Sequence, residues 1–391
     1  MEKTTPNKSF CIQPFINITT RIKGNHNVCC NIQTEDNNIQ QLTASKFFNS
    51  TNVKQMRNDL LEGVILPACK VCHKMEENQQ TSHRQVYNEY YYIKNKQSNE
   101  YYKNIIKSLK VESLEKPLYA EVHISNLCNL KCLTCNERDS SQFHAENKIL
   151  GISEAPEIDY TKFVVNTSSA IKEIIHPRLL FLDIRGGETL MVPEIKKILN
   201  NVSDDIAKNI TLKIQTNGTI LPDNEWTTIF KKFKNTKINV SIDAYGEDNT
   251  YVRYPSNWQK ILKTIEYLEE QNIKFIINTV VSNINILVLD KLLTWLTEKQ
   301  YANYLYPLIG PSHYQATNLP NKILKLAGDR LSKLKNINTP TRQLINLCYN
   351  TNNFNKKLWL NFCKEIYMRD THRKNNIISI LPEIKEYFLS K

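Results

Sequence analysis

The 391-residue sequence predicts an α/β protein in which six strands alternate with helices. Two observations carry this expectation. Between residues 117 and 310, apolar strand-like runs alternate with amphipathic segments, a pattern that implies parallel pairing through right-handed crossovers. Of only nine glycines in the chain, Gly186, Gly187, Gly218, Gly246 and Gly310 fall at or just after strand ends, the edge where α/β folds hold ligands. Six such strands suit a partial barrel, and periodicity alone leaves an open doubly wound sheet as the alternative.

The strand candidates are 118–124, 179–184, 211–215, 238–242, 273–281 and 302–309. Helix-like segments lie near 142–150, 193–201, 223–234, 258–271 and 284–299. Trp258, Ile261, Leu262, Ile265 and Leu268 recur at helical spacing and are expected to face the sheet. Residues 1–116 carry five cysteines and end in a polar, tyrosine-rich stretch at 87–102. Its tyrosines, at 87, 90, 91, 92, 101 and 102 among Lys94, Lys96 and Lys103, read as a linker helix packed on the barrel rather than a base-stacking surface. Residues 311–391 read as a helical extension, with Leu324, Ala327, Leu331 and Leu334 on one face.

Hydrophobic residues at 41% and aromatics at 9% exclude a disordered chain. Lys and Arg number 51 against 39 Asp and Glu, a formal charge of +12. That balance favours acidic partners, but the lysines are scattered, and a solvated basic surface is the preferred reading. Residues 1–14 are polar and lack an apolar signal core, and no run is long enough for a bilayer. A soluble, cytoplasmic protein without a membrane partner is therefore expected, where ten cysteines point to metal or cluster ligation rather than disulfides.

Three cysteines dominate the chemistry. Cys128, Cys132 and Cys135 form a C-N-L-K-C-L-T-C loop directly after the first strand candidate. Thiolates suit iron–sulfur clusters or zinc, and a structural zinc site closes with four ligands. Three ligands on a four-iron cube leave one iron open. His123 and His144 flank the loop, so a Cys3His zinc site is the competing reading, although neither has finger-like spacing.

This loop, its place after strand one and the segments that follow resemble the radical S-adenosylmethionine (SAM) superfamily over roughly residues 117–310. The resemblance implies a partial (β/α)6 TIM-type barrel and a 4Fe-4S cluster on Cys128, Cys132 and Cys135. It also implies that the open iron chelates SAM, whose reductive cleavage gives a 5′-deoxyadenosyl radical. Thr134 departs from the aromatic residue many members carry before the third cysteine. Arg185-Gly186-Gly187-Glu188 resembles the family's GGE motif, which implies that Gly186, Gly187 and Glu188 bind the methionine amino group. Asn217 after strand three, Ser241 and Asp243 of the S-x-D element, and Arg253 are implied to contact the ribose or the methionine carboxylate. Each alone equally fits a helix N-cap.

The N-terminal cysteines Cys11, Cys29, Cys30, Cys69 and Cys72 resemble twitch or SPASM-type auxiliary-cluster domains, here preceding the barrel as in phage-type twitch radical proteins. The resemblance implies a second 4Fe-4S cluster on Cys11, Cys30, Cys69 and Cys72, with Cys29 the alternative to Cys30. A structural zinc site is the competing reading. Gly24 and Asn25 fit a hairpin turn between the strands leading to the cysteine pair. The domain expectation is 1–116 twitch-like cluster domain and linker, 117–310 barrel, and 311–391 helical C-terminal extension. The expected activity is that of a radical SAM oxidoreductase or modifying enzyme acting on a peptide side chain or small alcohol, fed by a reductant such as flavodoxin or ferredoxin. An RNA substrate and a non-enzymatic zinc-binding interaction protein are the alternatives. His313 and Tyr314 are candidate substrate contacts, and Cys348 and Cys363 read as buried inert thiols.

Overall fold

The computed structural model describes residues 5–22, 24–32, 42–77, 81–93, 115–153, 168–350 and 354–389. Its strands are β1 (Asn17–Thr20), β2 (His26–Asn27), β3 (Tyr119–His123), β4 (Phe181–Arg185), β5 (Thr211–Thr216), β6 (Asn235–Ser241), β7 (Lys274–Val281) and β8 (Asn303–Pro307). The longer helices are α1 (Thr51–Glu62), α2 (Lys70–Glu77), α3 (Ser141–Ile149), α4 (Pro193–Asn200), α5 (Asn224–Lys232), α6 (Trp258–Glu270), α7 (Leu289–Glu298), α8 (Asn321–Ser332), α9 (Thr339–Asn350) and α10 (Lys356–Arg373). The six strand candidates of the sequence are β3 to β8.

One sheet contains all eight strands in the order β2-β1-β3-β4-β5-β6-β7-β8. From β1 through β3 to β8 every pair is parallel, and only β1–β2 is antiparallel. The order of β3 to β8 never reverses, which rules out the doubly wound alternative, whose order turns back at a switch point. Edges β2 and β8 do not pair, so the sheet is open: a partial (β/α) barrel.

Alternation within the strands sorts the side chains. Ala120, Val122, Leu182, Ile184, Leu212, Ile214, Ile238, Val240 and Ile277 join the main core with Ile195, Ile229, Ile261 and Leu292 of the helices. Fully burying each such side chain is worth about 1.5–3 kcal/mol. The opposite face is polar. Register aligns Thr19, Glu121, Asp183, Lys213, Lys237 and Lys274 in one row across the sheet. His123 and Arg185 stand opposite each other one step further along.

The N-terminal segment continues this sheet rather than making one of its own. β1 pairs with β3 from Asn17↔Tyr119 onward, crossing the boundary expected at 116/117. The turn is as expected: Arg21 and Gly24 close it by backbone hydrogen bonds, with Gly24 at φ +82°. Sequence alternation could not show that β1 joins the barrel sheet, because all four of its residues are buried. Tyr91 packs edge-on against Phe181, with centroids 5.4 Å apart, and stacks on Tyr87 at 5.6 Å. These tyrosines cover the barrel floor beside Phe10, Phe15 and Phe48. Tyr101, Tyr102, Lys94, Lys96 and Lys103 lie outside the described residues. No helix among the described residues is long and apolar enough to cross a membrane.

Candidate functional site

The three-cysteine loop leaves the C-terminal end of β3 and is held from all sides. Lys131 N donates to the Tyr254 carbonyl at 2.7 Å, and Leu133 N to the Val252 carbonyl at 2.9 Å. Ser140 Oγ donates to the Leu130 carbonyl at 2.6 Å, and Ser141 Oγ lies 3.2 Å from Cys128 N. Leu130 N points at Cys128 Sγ at 3.4 Å. Cys128, Cys132 and Cys135 pack in one cluster around Leu130.

Their thiols interact with one another. Burial, then Cys132, pushes the Cys128 thiol up to about 12. Cys135 is raised by burial and then by Cys132, and Cys132 by burial against the opposing pull of Arg253. Such thiols stay neutral unless a cation takes the place of the proton, which is how cysteine binds metal. Neither flanking histidine joins them: His123 Nε2 is 2.8 Å from Glu121 Oε1, and His144 Nδ1 is 3.6 Å from Glu137 Oε2. Among the described residues no three His, Cys, Asp or Glu side chains close around a single metal ion; a four-iron cube spreads its thiolates more widely than one ion does.

The neighbouring strand ends meet the loop. Glu188 N donates to the Leu127 carbonyl at 2.8 Å. Gly186 and Gly187 are required by this approach: at φ +107° and +49°, an added Cβ would lie 2.5 Å from Ser125 O and 2.1 Å from Leu127 O. The glycines therefore press on the loop backbone itself. The Glu188 carboxylate is fully buried and accepts from Leu190 N at 3.1 Å, Thr216 Oγ1 at 2.8 Å and Asn217 N at 2.6 Å. Burial raises its pKa against those donors. Asn217 Nδ2 donates to Asn129 Oδ1 at 2.8 Å, tying β5 to the cysteine loop.

Ser241 Oγ accepts from Gln215 at 2.5 Å on the concave face. Asp243, fully buried, accepts from Arg253 Nη1 at 2.8 Å and Val280 N at 2.8 Å. Burial works against the charge on Arg253, but Cys132 and Asp243 outweigh it and hold the guanidinium well protonated. Arg253 Nε is buried with no protein partner, as are both side-chain polar atoms of Asn126 in the loop. A charged donor facing two thiols, with a donor hydrogen unspent, fits an anionic cluster or a carboxylate. The residues expected at 186–188, 217, 241, 243 and 253 are thus gathered at the C-terminal strand ends around the loop, where the donor set fits the group.

Further contacts to the loop come from residues outside the motifs. Arg369 and Arg373 of α10, both buried, converge on Glu146 of α3 at 2.7 and 2.5 Å. Arg373 also donates to the Lys131 carbonyl at 2.7 Å, between two ligand candidates, and its charge reaches Cys132. The sequence offered one faint sign of this, two arginines one helical turn apart near the end of an otherwise unremarked helix. His313 is held by Glu365 of α10 at 2.8 Å, and Tyr314 is buried against Phe362.

The N-terminal cysteines line a small cleft with His83, Arg84 and Tyr87. Cys11 is raised well above its ordinary value by burial and then by Cys29, Cys69 and Cys72. Cys69 is pushed up to about 11 by burial and by Cys72. Cys29 acts on Cys11 and is itself raised by burial and then by Cys30, with Cys69 adding to the rise. Cys30 turns toward the barrel: burial pushes it up to about 12, and its leading charged neighbours are Glu121 and Arg185. Its Sγ lies 3.7 Å from His83 Nδ1. The roomier cleft at Leu293, Tyr301 and Leu334 is lined by no thiol, histidine or carboxylate.

Residues 122–294 match the family model described as the Radical SAM superfamily. The GTP 3′,8-cyclase of Clostridium perfringens (strain SM101 / Type A) is 26% identical over 164 residues, 42% of this chain and 46% of that protein. The chain thus spans about half the length of that curated relative. An uncharacterized protein of Methanocaldococcus jannaschii is 27% identical over 228 residues, 55% of this chain and 72% of its own. Among solved structures, anSMEcpe with bound AdoMet superposes with a TM-score of 0.39 at 22% identity, covering 55% of this chain and 59% of that one. Streptococcus suis SuiB bound to S-adenosylmethionine gives a TM-score of 0.39 at 16% identity, covering 66% and 56%.

Proposed function

We propose that the chain is a radical SAM enzyme whose Cys128, Cys132 and Cys135 hold a 4Fe-4S cluster. The observation that carries this reading is a cluster of three interacting thiols, Cys128 and Cys132 buried and Cys135 partly so, with the partly unpaired guanidinium of Arg253 acting on Cys128 and Cys132. When bound, the cluster and SAM supply a one-electron cleavage that yields a 5′-deoxyadenosyl radical able to take hydrogen from a substrate. The chain's own residues do the positioning. Gly186 and Gly187 let β4 lie flat against the loop, Glu188 locks β4 to β5, and Asp243 orients Arg253 toward Cys132. Arg253 Nε is the donor left for a SAM carboxylate, with Asn217 and Ser241 at the neighbouring strand ends.

Cys11, Cys29, Cys69 and Cys72 are the proposed ligands of an auxiliary 4Fe-4S cluster, a role suited to relaying electrons from a flavodoxin or ferredoxin. The substrate, a small molecule or a peptide side chain, enters the open polar face of the barrel. Anaerobic reconstitution is expected to give about eight irons per chain and, with dithionite and SAM, 5′-deoxyadenosine. The Cys128→Ala/Cys132→Ala/Cys135→Ala variant is expected to keep about half the iron and form no 5′-deoxyadenosine. Zinc in place of iron, or 5′-deoxyadenosine from the triple variant, refutes the reading.

A further inference from the structure

The row of side chains across the concave face is electrically lopsided. On β3 and β4 its members are Glu121 and Asp183, and these carboxylates are already answered. Arg185 reaches Asp183 at 2.9 Å and Glu121 at 3.6 Å, His123 reaches Glu121 at 2.8 Å, and Tyr119 Oη donates to Asp183 at 2.9 Å. Burial would raise Glu121, yet Arg185 and His123 overcome it and keep the carboxylate charged.

On β5, β6 and β7 the same row is Lys213, Lys237 and Lys274, in direct register on adjacent parallel strands. Strands in a sheet lie about 4.8 Å apart, and like charges placed opposite one another are destabilising. Lys213 stands 3.9 Å from Asp183, a long contact to a carboxylate already bound by Arg185 and Tyr119. Among the described residues, Lys237 and Lys274 have no ion pair or hydrogen bond, although Lys237 is half-buried. Burial, then Lys213 and Lys274, lowers the Lys237 pKa, consistent with ammonium groups that face one another. Neighbouring positions on this face, Gln215 and Asn239, are half-buried amides rather than carboxylates. The N-terminal aromatic segment covers the floor beneath Tyr119 and Phe181 at the β3–β4 side, and His83 packs edge-on against Tyr306 of β8.

We propose that Lys213, Lys237 and Lys274 form an oxyanion-binding site on the barrel's inner face, taking a group with at least two charged oxygens, such as a diphosphate or a dicarboxylate. An anion there converts three repelling ammonium groups into one charge-assisted cluster. That the anion is part of the substrate rests on the radical-enzyme reading; the site itself needs no cluster. It lies toward the N-terminal ends of the strands, so such a substrate would be gripped at one end with its remainder extending toward the cysteine loop.

The test uses the full chain and two probes, inorganic pyrophosphate and malonate, by calorimetric titration at low salt, with sodium chloride at matched ionic strength as control. At least one probe is expected to bind and to raise the melting temperature beyond the chloride control. Lys237→Gln and Lys274→Gln are each expected to weaken it by at least about tenfold. Lys299→Gln, at the end of α7, is expected to leave it unchanged. Pyrophosphate preferred over malonate assigns a phosphate source, and the reverse a carboxylate source. Failure of both probes to bind, or equal weakening by Lys299→Gln, overturns the proposal. Because neither readout involves iron or 5′-deoxyadenosine, its failure is separable from failure of the radical-enzyme reading.

Discussion

Glu146 of α3 is where the C-terminal helix grips the cysteine loop, and replacing it tests that grip. Its side chain is fully buried and meets Arg373 Nε at 2.8 Å, Arg369 Nη1 at 2.7 Å and Lys131 Nζ at 3.2 Å. Arg369 and Arg373 side chains are each only 1% exposed. Burial would raise the Glu146 carboxyl, but Arg373 and Lys131 outweigh it and hold it below its usual range. Glu146→Gln keeps the shape and removes the charge, leaving two guanidiniums without their shared anion. Breaking a buried pair in this way costs about 3–5 kcal/mol. With a urea slope of about 3 kcal/mol/M, the unfolding midpoint falls by on the order of 1 M.

The combined variant Glu146→Leu/Arg369→Met/Arg373→Met removes the charges together with the pair and is expected to recover part of that loss. It does not recover the tie from Arg373 to the Lys131 carbonyl, so the loop should still bind iron less completely than wild type. Urea titrations followed by fluorescence, and iron per chain after anaerobic reconstitution, read the two effects separately. A Glu146→Gln midpoint within about 0.2 M of wild type, the error of such a titration, would refute the assignment of Glu146 as a buried anchor.

Cys29→Ala is expected to lose about four irons per reconstituted chain and Cys30→Ala none; the opposite pattern restores Cys30 as the ligand. Stability should also fall with pH through His26, whose pKa burial lowers from 6.5 to about 4. Between those values the unfolded imidazole takes a proton that the folded one refuses. Stability is therefore full above about pH 6.5 and loses about 3 kcal/mol by about pH 4. Urea midpoints across that window should slope in wild type and flatten in His26→Gln; identical slopes would contradict the assignment. Gly187→Ala must push Leu127 O from 2.1 Å, whereas Gly246→Ala, also at positive φ, meets nothing within 4 Å. The second should cost about 1–3 kcal/mol for its backbone alone, and the first clearly more, with lower iron content; equal urea midpoints would remove the close-approach explanation.

The barrel was legible because its strands announce themselves twice, by apolar residues toward the helices and by glycine or polar residues at their ends. The loop of Cys128, Cys132 and Cys135 was legible because its spacing is local. The hairpin of β1 and β2 was legible from its turn, but its pairing with β3 was not, since the four buried residues of β1 carry no alternation that would mark a barrel strand. The choice between Cys29 and Cys30 was not legible either. Adjacent residues point in different directions, and which of the two meets Cys11, Cys69 and Cys72 depends on the turn at Gly24 and on where α2 docks. Glu188 shows a third kind of limit. Its residue type suits an ammonium, but three hydrogen bonds to protein occupy the carboxylate, a fact fixed only when β4 and β5 lie side by side.

The most consequential features missed by motif reading are the arginines, and their arrangement follows a common logic. Burial makes each of the three loop thiols reluctant to ionise, so an iron site there needs positive charge close by. Arg253 supplies it from the segment after β6, and Arg373 supplies it from α10, far along the chain; both act on Cys132. An isolated guanidinium is itself costly to bury. Each is accordingly held by its own buried carboxylate, Asp243 for the first and Glu146 for the second. The carboxylates fix the arginines in place and the arginines favour the thiolate form of Cys132. The C-terminal helix is thus a working part of the cysteine loop's electrostatics, and its removal would leave Glu146 answered by Lys131 alone behind Cys132, the thiol the proposed cluster needs ionised.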